Sequence, residues 1–294
     1  MTVSLEGQTA IITAAGGGIG RATARLLAAR GASVLVNDID LEAASAVAEE
    51  IVAAGGIAVA EGSAVGTGDF AAAITGAAMA AFERIDILVN NAGISRPCPF
   101  GEDSDAEIAE VCAVNFMGPY RLMREVWPIM KAEGGGRIVN TSSSAALGSG
   151  MSGAYAPTKA ALIGLTKEAA ISGAALGIRV NAIMPSASTP LLLNHPDLAF
   201  RAWMRRHFPP ERVAAFTTFL ASAGNPVSGE IFTVGGGLVA RVAFQRAAGT
   251  CNPALTPEDV RDNLDTILDL SNGAVLTTQR DLQDVYFAAF PNEA

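Results

Sequence analysis

A short apolar run, Gln8-Thr-Ala-Ile-Ile-Thr13, passes straight into a cluster of small residues, Ala14-Ala-Gly-Gly-Gly-Ile-Gly20. A stretch rich in Ala, Leu and Arg then continues to Arg30, where Gly31 stops it. Few folds accommodate a buried strand, a glycine turn and a helix in that order. Glycines let the backbone come close to an anion, and the helix N-terminus behind them offers unpaired N–H groups and the positive end of its dipole. The pattern predicts a phosphate-binding turn at the carboxyl edge of a parallel sheet. The alternation then repeats: Ser33 to Asn37 reads as a strand, Leu41 to Ala54 as a helix and Ile57 to Ala60 as a short strand. Asp69 to Arg84 reads as a helix and Ile85 to Val89 as a buried strand. Such regular βα spacing predicts an α/β chain with a doubly wound parallel sheet and helices on both faces.

Asp38 ends the second strand. A carboxylate about twenty residues beyond the glycines is placed to accept hydrogen bonds from the ribose of a dinucleotide. It would repel the additional phosphate of NADP. No Lys or Arg lies in the glycine turn or beside Asp38, so NAD is the expected cofactor. Capping of the next helix falls to Asp40.

Tyr155 and Lys159 stand four residues apart, a spacing that stacks both on one face of a helix. A phenol titrates near pH 10, and a fixed ammonium one turn away favours its ionised form. Thirteen residues before Tyr155, Ser142 follows the strand-like run Arg137 to Thr141. A hydroxyl there is placed to bind the oxygen of a carbonyl or alcohol. An acid/base group, its tuner and an oxygen-binding donor are thus expected together. The plainer account of the Tyr–Lys pair alone is a solvated helix face.

Composition narrows the alternatives. With 294 residues, half of them hydrophobic and 17% charged, the chain can bury a large core. A net charge of −9 with no basic patch argues against nucleic acid as a partner. Cys98, Cys112 and Cys251 form no Cys-x-x-Cys pair and read as free thiols in a reducing compartment. His195 and His207 lack the neighbours of a metal site, so no metal is expected. The chain shows no membrane-length apolar run and no secretory signal, and its Asn292-Glu-Ala294 end is not a peroxisomal signal. A cytoplasmic protein acting on a small molecule is the expectation.

In their order and spacing these stretches resemble the short-chain dehydrogenase/reductase family, of the type with TGxxxGxG and YxxxK motifs. The resemblance runs from about Leu5 to Leu238 and rests on Thr13 to Gly20, Asp38, Asn90-Asn-Ala-Gly93, Asn115, Ser142, Tyr155 to Lys159, and Ile178 to Pro185. It implies a Rossmann-type fold, an exchange of a secondary alcohol and a ketone with NAD, and a tetrad of Asn115, Ser142, Tyr155 and Lys159. In that tetrad Tyr155 exchanges the proton and Ser142 positions the reacting oxygen. Lys159 lowers the Tyr pKa and binds the nicotinamide ribose, while Asn115 holds a water of a proton relay. The cofactor residues implied are Thr13, Ala14, Gly16, Gly18, Ile19, Gly20, Asp38, Ala64, Val65, Asn91, Ala92, Gly93, Tyr155, Lys159, Pro185, Ser186 and Thr189. The helix of the Tyr–Lys pair commonly packs against another subunit in the family, so a homodimer or homotetramer is implied.

The chain departs from the pattern at several places. Ala14 replaces the first motif glycine, Ser63-Ala-Val65 lacks the usual acid after the third strand, Ser186 replaces a glycine, Thr189 comes one residue early, and Gly235 replaces a late aspartate. Between Thr189 and Pro209 an apolar, aromatic segment carries Arg201, Arg205 and Arg206. It reads either as a surface helix or as a lid over a hydrophobic substrate with an anionic handle. We expect one domain over residues 1–238 and a helical extension over 239–294. The extension opens a helix at Thr256-Pro-Glu-Asp and resembles the end of the hydroxyacyl-CoA dehydrogenase region of peroxisomal multifunctional enzymes. It is expected to pack on the core or at a subunit interface. An NADPH-dependent ketoreductase and a non-catalytic NAD sensor are the rival readings. A hydroxyacyl-CoA, a steroid and a cyclic alcohol are the candidate substrates.

Overall fold

The structure is a computed structural model that describes residues 3–189 and 197–290. The chain divides into two compact units, Met1–Arg241 and Val242–Ala294, just beyond the expected boundary at residue 238.

The first unit begins with β1 (Thr9–Ile12), α1 (Gly18–Ala29), β2 (Ser33–Asn37), α2 (Leu41–Ala53), β3 (Ile57–Glu61), α3 (Phe70–Phe82) and β4 (Ile87–Asn90). It continues with α4 (Asp105–Cys112), α5 (Gly118–Ala132), β5 (Gly136–Thr141), α6 (Tyr155–Gly173) and β6 (Ile178–Ser186). After the undescribed stretch come α7 (Leu198–His207), α8 (Pro210–Ala221), β7 (Ile231–Gly235) and β8 (Leu238–Val242). The eight strands form one sheet in the order β3-β2-β1-β4-β5-β6-β7-β8. Parallel pairing links β3 through to β7. The winding direction reverses between β1 and β4, and the glycine turn leaves the sheet at that switch point, where open α/β sheets bind ligands.

Side chains alternate across each strand and so feed two cores. Ala10 and Ile12 of β1, with Val34 and Val36 of β2, pack against Leu27 of α1 and Val47 and Ile51 of α2. Ile11, Leu35 and Leu88 point the other way, against Ile74 of α3 and Leu122, Val126 and Met130 of α5. Strands covered on both faces read as unbroken apolar runs, which is why the sequence shows them so clearly.

Two stretches depart from plain helix. Between α4 and α5 the chain does not run on as a plain helix: Ala113–Met117 is a π-helical turn with Asn115 in it. The second unit is not purely helical. Alongside α9 (Pro257–Asp262), α10 (Leu264–Leu268) and α11 (Gln279–Ala289) it contains β9 (Phe244–Arg246), paired antiparallel with β10 (Ala274–Leu276). Thr256 does cap α9, within a capping box completed by Asp259. None of the described residues of this unit is buried.

Candidate active site

Thr13 directly follows β1, and its hydroxyl accepts the amides of Asn91 at 3.0 Å and Ala92 at 2.9 Å. The Asn91 side chain donates back to the carbonyls of Thr13 and Ala14. These bonds tie the end of β4 to the glycine turn and fix its backbone path. Ala14 takes φ +50°, a left-handed conformation that glycine adopts freely and alanine does not. The family's glycine at this position thus has a conformational reason, and the alanine keeps the same path under strain. Gly20 is required by close packing, since a Cβ there would overlap the Ala14 carbonyl. Gly17 precedes α1 without capping it by a side chain, so the first-turn N–H groups of a twelve-residue helix face the turn.

The Asp38 carboxylate accepts the Gly16 amide at 2.9 Å and the Asp40 amide at 3.1 Å. It therefore sits beside the glycine turn, while Asp40 caps α2 through Ala43. Ala64 and Val65 follow β3; Val65 lies so close to Gly118 that a Cβ on the glycine would collide with it. An acid does end β3, slightly upstream of the expected place. Glu61 accepts from Asn37 at 2.7 Å and from the amide of Ser63 at 2.9 Å. Ile19 packs at the edge of a small core made by Val139, Ile183 and Val213.

Pro185 and Ser186 end β6 and pair with Val234 and Gly235 of β7. Gly235, at the expected aspartate position, lies against Ser186, whose carbonyl a Cβ would meet at 2.7 Å. Thr189 and Ser188 share a cavity of about 300 Å³ with Gly18 and Arg21. Two expected cofactor residues, Gly18 and Thr189, remote in sequence, thus come to one cavity. These residues fit a dinucleotide: open helix amides and a glycine turn for the phosphates, and a carboxylate beside them for a ribose. Of the expected lid, residues 190–196 with His195 lie outside the described residues. In α7, Trp203 stacks on Phe200 and packs on Phe208, and Met204 is buried.

The other half of the site forms between β5 and α6. Lys159 is buried, and its Nζ donates to the Thr141 carbonyl at 2.7 Å and lies 5.6 Å from the Tyr155 ring centre. Burial brings its pKa down to about 8. Gly93 is packed against this group, with room for a Cβ only 3.1 Å from Nζ. Asn115 is fully buried; its amide oxygen accepts from Ile94 N at 2.8 Å, and its nitrogen donates to Ile94 O and Thr158 Oγ1. This side chain holds the turn after β4 against α6, and the π turn is the local device that presents it.

Two expectations need correction. Ser142 does not face Tyr155: its buried hydroxyl donates to the Lys159 carbonyl at 2.7 Å. Ser143, one residue on, is the hydroxyl that acts on the Tyr155 phenol and favours its ionised form. The Ser143 oxygen accepts the Ala145 amide at 3.1 Å, which leaves its proton to be donated. The cause is pleating, because successive side chains of an extended segment point to opposite sides. Counting back from Tyr155 picks Ser142, the hydroxyl that bonds the Lys159 carbonyl; counting forward along β5 and its extended continuation puts the inward and outward hydroxyls in order. Nor is the net shift of the Tyr155 phenol the lowering expected. Burial pushes the phenol above its ordinary value, with the Ser143 hydroxyl opposing that rise.

Comparison with known proteins agrees with this geometry. The family model of the short chain dehydrogenases matches residues 8–193. The chain is 35% identical over 288 residues to peroxisomal multifunctional enzyme A of Dictyostelium discoideum, covering 95% of this chain and 64% of that protein. It is 40% identical to cis-4-hydroxycyclohexanecarboxylate dehydrogenase of Sinomonas cyclohexanicum, covering 79% of this chain and 97% of that one. Among solved structures, full-length peroxisomal multifunctional enzyme type 2 of Drosophila melanogaster superposes with a TM-score of 0.81 at 28% identity, covering 98% of this chain and 50% of that one. A 7α-hydroxysteroid dehydrogenase complexed with NADH and 7-oxo glycochenodeoxycholic acid superposes with a TM-score of 0.74 at 35% identity, covering 80% of this chain and 95% of that one. The chain spans between 32% and 64% of the length of the first peroxisomal relatives it matches. Among the described residues no helix is long and apolar enough to cross a membrane, and the peroxisomal names give the expected cytoplasmic location no support. The chain belongs to the short-chain dehydrogenase family, whose chemistry is oxidation and reduction at a hydroxyl or carbonyl carbon with a nicotinamide cofactor.

Proposed function

We propose that this chain is an NAD(H)-dependent oxidoreductase that interconverts a secondary alcohol and a ketone, with Tyr155 as acid/base and Ser143 as the hydroxyl that holds the reacting oxygen. The observation that carries the reading is the Tyr155 phenol beside a buried lysine, with Lys159 Nζ 5.6 Å from its ring centre and the Ser143 hydroxyl favouring the ionised phenol. Tyr155 takes the alcohol proton on oxidation and returns it on reduction. Ser143 donates to the same oxygen and so fixes the carbon it belongs to. Lys159 keeps a positive charge near the phenol as it ionises. Asn115 has its amide engaged with Ile94 and Thr158, so in this reading it positions the wall of the site. A bound nicotinamide nucleotide supplies the hydride acceptor or donor.

The preference for NAD rests on Asp38. Its carboxylate lies against the glycine turn and would meet the extra phosphate of NADP with like charge. Arg21 and Arg25 line the neighbouring cavity but share Glu50 as an ion-pair partner, which weakens the case for an NADPH-dependent ketoreductase. The substrate is read as a bulky, largely apolar alcohol, because Phe100, Leu147 and Met151 stand exposed on the two loops that precede α4 and α6. A hydroxyacyl thioester, a steroid and a cyclic alcohol all have this character. Exposed Tyr120 and Ile171 on α5 and α6 support assembly into a homodimer or homotetramer, which light scattering on the purified protein would measure.

The deciding experiment follows NADH fluorescence with NAD and with NADP against a panel of secondary alcohols, with Tyr155→Phe run beside the native chain. Turnover with NAD that vanishes in the Phe variant is expected. Binding of NADH without turnover of any alcohol would replace this reading with that of a sensor.

A further inference from the structure

We propose that Asp103 is a positioning residue that caps helix α6 from a separate loop and thereby holds Tyr155 in place, an inference that rests on the reading of Tyr155 as acid/base. Tyr155 is the first residue of α6, where the leading N–H groups have no partner within the helix. The residue before it, Ala154, carries no side chain that can cap. Helices α2, α4 and α7 are capped by Asp40, Ser104 and Asp197, each immediately preceding its helix. At α6 the acceptor comes from 51 residues upstream: Asp103 Oδ1 takes the Ala154 N–H at 2.9 Å. A carboxylate at a helix N-terminus is also favoured by the helix dipole.

The surroundings are built for this contact. Asp103 directly precedes Ser104, whose reciprocal bonds with Glu107 fix the start of α4. The Cys98 thiol stands with the same carboxylate beside Gly153, and the Cys98 carbonyl accepts the Gly153 amide at 3.1 Å. Gly153 has φ +44°, and a Cβ on it would overlap both Asp103 Oδ1 and Cys98 Sγ. The carboxylate, the thiol and the glycine therefore form one clamp on the dipeptide that leads into Tyr155. The hydrogen bond from Ala154 holds the Asp103 carboxyl below the usual carboxylate range, so the acceptor stays charged across the neutral region. The other end of the same loop, Ile94, is held by Asn115, which also bonds Thr158 of α6. A loop pinned to α6 at both ends sets where the phenol stands.

Two readouts on the full chain test this, one of them independent of activity. In Asp103→Ala, hydrogen exchange in the segment from Gly153 to Lys159 should quicken by on the order of tenfold. Its kcat should fall by a similar factor while KM for NAD stays unchanged, and the primary isotope effect with a deuterated alcohol should rise. Asp103→Asn keeps an oxygen acceptor and should return both readouts to within about threefold of the native chain. Unchanged exchange in that segment in the Ala variant would overturn the proposal. So would an Asn variant as impaired as the Ala variant, with exchange raised throughout the chain. If the native chain oxidises no alcohol, the oxidoreductase reading falls, and the exchange data still decide whether Asp103 caps α6.

Discussion

The glycine turn after β1 and the serine turn after β5 both leave the carboxyl edge of the same sheet, but they work through different atoms. The glycine turn acts through its backbone: amides face the turn, and the chain path is held by Thr13, Asn91 and Asp38. Ala14 adds a methyl group, yet it accepts φ +50° and keeps that path. The serine turn acts through side chains. There a shift of one residue exchanges a hydroxyl buried on the Lys159 carbonyl for one that meets Tyr155. A backbone site tolerates a change of residue that preserves the path, whereas a side-chain site depends on register.

The largest effect expected from that difference is in Tyr155→Phe, which should lower kcat by about a thousandfold and leave NADH binding, read by fluorescence, intact. Next comes the serine pair. Ser143→Ala should cost on the order of a hundredfold in kcat. Ser142→Ala should cost roughly 1 kcal/mol of stability in urea titration, with a much smaller kinetic effect. The reverse ranking would break the comparison.

Lys159→Met removes a buried ammonium whose pKa burial depresses to about 8. Below pH 8 the lysine is protonated in both the folded and unfolded chains, and folding bears the full cost of burying its charge. As pH rises through 8 the folded chain releases the proton while the unfolded chain keeps it until near 10.5. The native chain should therefore gain stability relative to the Met variant between pH 8 and 10, by roughly 2 kcal/mol in denaturant titrations at each pH. The smallest effect belongs to the backbone site. Ala14→Gly should relieve the left-handed strain and stabilise by roughly 1 kcal/mol, a rise of about 2–4 °C in Tm by calorimetry.

Residue type and spacing alone determined the βα alternation, the glycine turn, Asp38 at the end of β2, Asp40 and Thr256 as caps, and the Tyr155–Lys159 pair. Each of these is local: a run of apolar residues, a turn that needs glycine, or two side chains one helical turn apart. Family resemblance added Asn115 and the residues around Thr189. Tertiary structure decided the rest, because the remaining features depend on which groups meet across the fold. The pleat after β5 sends Ser142 inward and Ser143 to the phenol. A π turn, invisible in an apolar helical stretch, presents Asn115 to Ile94 and Thr158. Glu61 closes on Asn37 of the neighbouring strand, and Asp103 caps a helix 51 residues away. Burial, too, exists only once the chain is folded, and it moves Tyr155 upward and Lys159 downward, against what two side chains on a solvated helix would do.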